Sequence, residues 1–248
     1  MKTAMYIKGS LATIAVVMFT ACGGGGGSDP APAPTPDPGP GPAPEPTVIT
    51  HNGTTYGTVT SPFTGKVWLA RNLGAAQVCI AYNDTACYGD YYQWGRNFDG
   101  HQDSLSGETT TVALDINNVG NEFIIGSGDW AAGPDASGAL RVAQWSRTDG
   151  GSVCPVGFRV PTITELENET INASAAVTNN TDAFNNFLKL PSAEVRSPFP
   201  VPMPSNMGVI WSSSIAGSDS QNLSFHEFGA SAQQTARAYG QSVRCIKN

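Results

Sequence analysis

The stretch Cys154-Pro-Val-Gly-Phe-Arg-Val-Pro-Thr162-Ile-Thr-Glu165 carries a cysteine at one end and a helix-start signal at the other. Thr162 follows a proline and is placed to cap a first turn. Glu165, three residues on, is placed to reach back and close a capping box. The signal predicts a helix from about Ile163 to Asn172. Downstream, Phe184, Phe187 and Leu188 share one helical face and Pro191 ends the pattern, which predicts a second helix over Asp182 to Leu190.

On either side the pattern changes to strands. Thr47–Thr50, Thr55–Val59 and Lys66–Ala70 alternate enough for three short strands, with turns at Asn52-Gly53 and Thr64-Gly65. Tyr88 to Arg96 concentrates three tyrosines and a tryptophan, a density expected of core or of a rim packed on it. Residues 97 to 153 are rich in Gly, Asp, Asn, Ser and Thr and read as a long irregular insertion anchored by Trp130 and Trp145. Further strands are expected near Ala193–Arg196, Val209–Ser212, Asn222–Phe228 and Ala236–Lys247. A bulge is expected where the alternation slips in Leu223-Ser-Phe225-His-Glu-Phe228. The fold class is α+β: two helices against short antiparallel strands and long loops. No repeat of solenoid or propeller length is visible.

The N-terminus reads as a leader. Lys2 and Lys8 precede the apolar run Leu11–Phe19, which is far shorter than the ~20 residues of a membrane span, and Thr20-Ala21 precedes Cys22. Phe19-Thr20-Ala21-Cys22 resembles the bacterial lipobox. That resemblance implies a signal peptide over residues 1–21, a lipid on Cys22 and anchorage in the cell envelope. Gly23 after the cysteine, rather than Asp, points to the outer membrane and a domain exposed at the surface. Gly23–Gly27 is an unbroken glycine run, and every second residue from Pro30 to Pro46 is proline. Residues 22–46 therefore read as a disordered tether reaching ~50 Å, and residues 47–248 as the domain it carries. Removing Lys2 and Lys8 takes the 13 Lys and Arg to 11, against 20 Asp and Glu, a net −9. That balance lacks the clustered cations on which phosphate recognition relies and excludes nucleic acid as an expected partner.

Four cysteines follow Cys22: Cys79, Cys87, Cys154 and Cys245. In an exported chain an even number reads as two disulfides, with three pairings open. The expected pairs are Cys79 with Cys87, around Asn83-Asp84, and Cys154 with Cys245, tying the chain's end to its middle. A zinc site is the rival, but the chain has no CxxC and three histidines only.

Cys154–Thr162 with Glu165, Tyr91-Tyr-Gln-Trp-Gly-Arg96, Trp211-Ser-Ser-Ser214 and Ser242-Val-Arg-Cys245 together resemble the Fibrobacter succinogenes major paralogous domain. That family is similar to the C-type lectin-like group. The resemblance covers nearly the whole domain and implies a compact α+β body whose N- and C-terminal strands meet, a setting that suits a Cys154–Cys245 bond. In some proteins of this fold the C-terminal surface, here Ser212 to Gln241, is diversified by a retroelement. Gly157–Thr162 also resembles a segment of formylglycine-generating enzymes, which share a related fold. The redox cysteine pair those enzymes use near the C-terminus is missing, because Cys245 stands alone there, so no activity follows from the likeness.

The Glu-Pro-Asn, Gln-Pro-Asp and Trp-Asn-Asp sets with which sugar-binding C-type lectins hold Ca²⁺ do not occur. Asn97, Asp99, His101 and Asp103, with Glu108 twelfth in line, loosely resemble an EF-hand loop, but Gln102 stands where that loop needs glycine. These oxygens are weak metal candidates; Ca²⁺ is the one ion with any claim and no other cofactor is expected. GxSxG, HExxH and a serine-histidine-aspartate set are missing, and His226 reads as an exposed strand residue. The remaining candidates for ligand contact are Trp130 beside Asp129 and Trp145 near Arg141, whose rings either stack on a ligand or fill the core beneath the loops. The sequence thus points to a lipid-anchored surface-binding or adhesion module without catalysis, its ligand a surface glycan or protein. The alternative is an envelope enzyme, or enzyme accessory, acting on polysaccharide.

Overall fold

The computed structural model describes residues 48–248 apart from Pro134, Pro202 and Pro204; the leader, Cys22 and the proline-rich stretch lie outside the described residues. The expected hairpin comes first: β1 (Ile49–His51) pairs antiparallel with β2 (Thr54–Tyr56). Asn52 and Gly53 take φ of 46° and 75°, the type I′ turn that favours this dipeptide. β3 (Thr58–Thr60) and β4 (Val67–Leu69) form a second antiparallel pair around the Thr64-Gly65 turn. β5 (Tyr92–Gln93) follows the Cys79–Cys87 loop, and β6 (Glu108–Thr109) lies parallel to β7 (Phe123–Ile124). Then come α1 (Ala139–Trp145), β8 (Phe158–Arg159), α2 (Ile163–Glu169) and α3 (Asn180–Asn185). The chain ends with the meander β9 (Gly208–Ala216), β10 (Asp219–His226) and β11 (Gly229–Ala236), followed by β12 (Gly240–Gln241) and β13 (Ile246–Lys247).

The fold is α+β, with mostly antiparallel small sheets. β13 lies between β4 and β8 in a four-stranded sheet, so the last strand closes onto the beginning of the domain. Both expected disulfides are present, Cys79–Cys87 and Cys154–Cys245, with Cα separations of 5.1 and 5.9 Å. The second fastens the approach to β8 beside the start of β13. No helix among the described residues is long and apolar enough to cross a membrane.

Two cores flank the meander. Ile210, Leu223 and Phe225 pack with Leu166 of α2, Ala183 of α3 and Leu188 and Leu190 beyond it. On the other face Trp211 enters a cluster with Tyr92, Trp94, Trp145 and both halves of the Cys154–Cys245 bond. The capping box forms as read: Glu165 N–H donates to Thr162 Oγ1, and the Glu165 carboxylate accepts from Thr162 N–H at 2.9 Å. Glu169, at the other end of α2, accepts from Ser61, Thr64 and the Trp68 indole, pinning the helix to the β3–β4 loop.

Several expectations need correction. Among the described residues there are three α-helices where two were expected, because α1 starts without a local cap. Gly138 fills the N-cap position, and Asp135 accepts from the N–H groups of Leu140 and Arg141 instead, a signal too far upstream to match the usual pattern. α2 stops at Glu169, short of Asn172, where the Thr170 hydroxyl turns back to the Leu166 carbonyl. α3 starts earlier and ends earlier than Asp182–Leu190. Asn179 caps it, and Asn186 ends it by accepting from Leu188 N–H and donating to the Glu169 carbonyl. Ala183, rather than Phe184, carries its buried face. β11 lies where no strand was read, since Gly, Ala and Gln give it little intrinsic strand preference. The expected strand Ala236–Lys247 is broken into β12 and β13, and Ala193–Arg196 makes only isolated bridges. The bulge sits between the pairs Ser220–Ile215 and Asn222–Trp211, where Ser212–Ser214 of β9 face the single residue Gln221.

Candidate functional site

Directly opposed residues in antiparallel strands point to one face. In the meander Asn222 faces Trp211 and Gln233, Ser224 faces Val209 and Ser231, and His226 faces Gly229. The opposite face is occupied by Ile210, Leu223 and Phe225 in the helix-covered core. Trp211 covers one end of the polar face, and beyond it the surface stays open. Asn222, Ser224, His226, Ser231 and Gln233 form the floor of a cleft of about 500 Å³, walled by Met203, Met207 and Tyr239.

No Asp, Glu, Lys or Arg stands among the described residues lining this cleft. Its polar groups are carboxamides, hydroxyls and one imidazole. Asn222 Nδ2 donates to Thr235 Oγ1 at 2.8 Å and Gln233 Nε2 to Ser231 Oγ at 2.8 Å. His226 Nδ1 accepts from Phe228 N–H at 3.1 Å, which leaves Nε2 free to donate. Tyr239 meets Phe199 edge to face at 6.1 Å, so its ring is backed on one side. Such a lining offers hydrogen-bonding groups without a formal charge from Asp, Glu, Lys or Arg. It lacks the paired carboxylates of ordinary glycoside hydrolysis.

The structure brings together Asp129, Trp130 and Arg141, with the indole and the guanidinium in the interior and the Asp129 side chain 27 % exposed. Trp130 and Trp145 are 0 % exposed and Arg141 is 1 % exposed. Their expected role as exposed ligand contacts is therefore corrected: the rings fill the core beneath the loops. Each indole N–H has an internal acceptor, Trp130 on the Trp94 carbonyl at 2.7 Å and Trp145 on the Arg96 carbonyl at 3.1 Å. Arg141 forks onto both carboxylate oxygens of Asp129, at 2.7 and 2.9 Å, and its Nε donates to Asp135 at 2.9 Å. Its guanidinium also lies over the rings of Trp94 and Trp130. Arg141, held by both carboxylates, is a buried charge with its partners inside the protein and stabilises the loop region.

No protein-family model, curated protein or solved structure matches this chain.

The weak metal candidates do not converge. Asp99 is engaged by Arg96 Nε at 3.0 Å and by the His101 ring, Asp103 accepts from Leu105 N–H, and Glu108 pairs with Arg196 at 3.2 Å. Asn97 donates to the Gly151 carbonyl. The loop turns at Gly100, with φ of 111°, two residues before the position an EF-hand requires. Among the described residues no three His, Cys, Asp or Glu side chains are grouped to hold a metal. Burial pushes the His101 imidazole down to about 4, so the ring is neutral at pH 7.

A second, smaller cleft of about 220 Å³ is lined by His51, Tyr56, Asp90, Tyr92 and Asp103, among others. Burial pushes the Asp90 carboxyl up to about 6, against the hydrogen bond from the Tyr92 hydroxyl at 3.1 Å, and the charge of Asp103 adds to the rise. Gly74 makes this possible: with φ of +74°, a Cβ there would meet the Asp90 carboxyl carbon at 2.2 Å. Sequence reasoning reached the clefts only in part, taking Asp103 as a weak metal candidate, His226 as an exposed strand residue and Ser212 to Gln241 as a surface that varies in some proteins of the fold. The signal for the larger one was the alternation Asn222-Leu-Ser224-Phe-His226, polar on one face over two strand repeats, and its partner strand β11 was not read.

Proposed function

We propose that this chain is a lipid-anchored binding or adhesion module, held at the cell surface through Cys22, that takes a ligand in the cleft over β9, β10 and β11 and performs no chemistry on it. In this reading the domain belongs with the Fibrobacter succinogenes major paralogous domains and the wider C-type lectin-like group, and is carried to the outer membrane by its leader and held off by the proline-rich tether. The observation that carries the reading is the lining of the meander cleft, in which no Asp, Glu, Lys or Arg stands among the described residues. The ligand is a surface glycan or protein; the ion and paired-carboxylate chemistry of a metal lectin or a hydrolase finds no groups there. Labelled full chain is to be applied to glycan and protein surfaces beside a Ser231→Arg variant, which sets a long cation in the cleft. Binding lost in the variant, with no product released from the bound surface, is the expected result. Equal binding by both would refute the cleft.

A second reading, an envelope enzyme or enzyme accessory acting on polysaccharide, is favoured by one observation. Asp90, held at about 6 beside Asp103 and His51, has the proton affinity of a general acid working near neutrality. Release of reducing ends from envelope polysaccharide by the full chain, abolished in Asp90→Asn, would make this the correct reading.

A further inference from the structure

We infer that the meander cleft recognises the hydroxyl groups of a neutral saccharide through Asn222 and Gln241, without a metal ion; this rests on the cleft reading above. Both side chains line the cleft and are 0 % and 1 % exposed. Yet neither Asn222 Oδ1 nor Gln241 Oε1 accepts a hydrogen bond from any described residue. Native interiors pair nine in ten or more of their buried polar groups, because a buried acceptor without a donor weakens the fold. Of the eight buried polar atoms without a partner among the described residues, these two belong to one cleft, where a bound hydroxyl would supply the missing donor.

The chemistry of the pair selects the ligand. Asn222 Nδ2 is held by Thr235 Oγ1 at 2.8 Å, and turning the amide over would leave the NH₂ unpaired in place of the oxygen. A hydroxyl donates and accepts, so it satisfies either orientation; a carboxylate or phosphate only accepts and an ammonium only donates. With no charge among the described lining residues, an ionic ligand would be desolvated without a partner. Tyr239, half-buried in the cleft wall and packed edge to face with Phe199, is the aromatic side chain nearest to hand for the C–H side of a sugar ring. A peptide would bring its amides along a strand edge, whereas Asn222 stands on the central strand β10, between β9 and β11.

The full chain is to be passed over an immobilised panel of neutral oligosaccharides of glucose, galactose, mannose and N-acetylglucosamine, with and without EDTA. Wild type, Asn222→Leu and Gln241→Leu are then titrated with whichever member is held. At least one member is retained, EDTA changes nothing, and each variant weakens binding ~10-fold or more. The urea midpoint of Gln241→Leu, whose side chain makes no hydrogen bond to a described residue, stays equal to or above the wild type's, because an unpaired buried acceptor has been removed; a role in the fold alone would lower it. No member retained, binding lost in EDTA, undiminished affinity in both variants, or a lowered midpoint would each overturn the inference. A protein ligand whose binding falls in Asn222→Leu would overturn the saccharide and keep the cleft. A ligand held equally by Ser231→Arg would overturn the cleft itself.

Discussion

Removing the Cys154–Cys245 bond is expected to cost far more than removing Cys79–Cys87, although both close loops in the same domain. The two bonds span 91 and 8 residues. In the chain-entropy account, a cross-link destabilises the unfolded ensemble by an amount that grows with the logarithm of the loop, giving ~4.6 kcal/mol for the long loop and ~2.5 kcal/mol for the short one. Against a net stability of ~5–15 kcal/mol, the first loss is a large fraction of the whole. Cys154 and Cys245 are both 0 % exposed within the main core, so lost packing adds to the long-loop figure rather than offsetting it. The assay is urea unfolding of the full chain at 25 °C, followed by tryptophan fluorescence, for Cys154→Ala/Cys245→Ala and Cys79→Ala/Cys87→Ala. All five indoles are buried and report the transition together. The long-loop variant should lose ~2 kcal/mol more than the short-loop one and show a steeper denaturant dependence, because its unfolded chain is more expanded. A smaller loss for Cys154→Ala/Cys245→Ala than for Cys79→Ala/Cys87→Ala would refute the reasoning.

Two further perturbations test the electrostatics. Asp90 has a folded pKa raised to about 6, so its contribution to stability is full below the unfolded value near 3.8 and lost as pH rises through 6. Asp90→Asn should therefore be more stable than wild type at pH 8 by ~1–2 kcal/mol, the full ~3 kcal/mol being reduced by the carboxyl's partial access to water, with no gap near pH 3; urea midpoints at the two pH values check it. Burial works against the Glu165 charge, but Arg159 at 2.7 Å and the Thr162 N–H hold its carboxyl down to about 2. Its stabilisation is full above pH 4.5 and drains as pH falls toward 2. Glu165→Ala should cost ~2–3 kcal/mol at pH 7 from the lost cap and the orphaned Arg159, and the loss should shrink in acid melts.

The parts of the fold that could be read were those whose signals are local. Asn52-Gly53 forms its turn where the dipeptide stands, and Thr162 with Glu165 caps α2 because donor and acceptor lie three residues apart. α1 escaped because its cap, Asp135, acts across five residues, and β11 escaped because its partner β10, not its own side chains, makes it a strand. Trp130 and Trp145 were visible as anchors, but whether they faced water depended on carbonyls 36 and 49 residues away. The cleft was the least legible feature. Asn222 and Gln241 are ordinary polar residues in the chain and become a pair only when β12 is laid beside the meander.

Of the five methionines, Met203 and Met207 are the two among the described residues, and both stand in the cleft wall. Full chain labelled with ¹³C at the methionine methyls, titrated with the tightest-held member of the oligosaccharide panel, tests the account most directly. The account predicts that both of these methyl resonances move to saturation with one dissociation constant while the oligosaccharide remains uncleaved. Saturable binding that leaves both resonances in place, or an oligosaccharide cut during the titration, would contradict it.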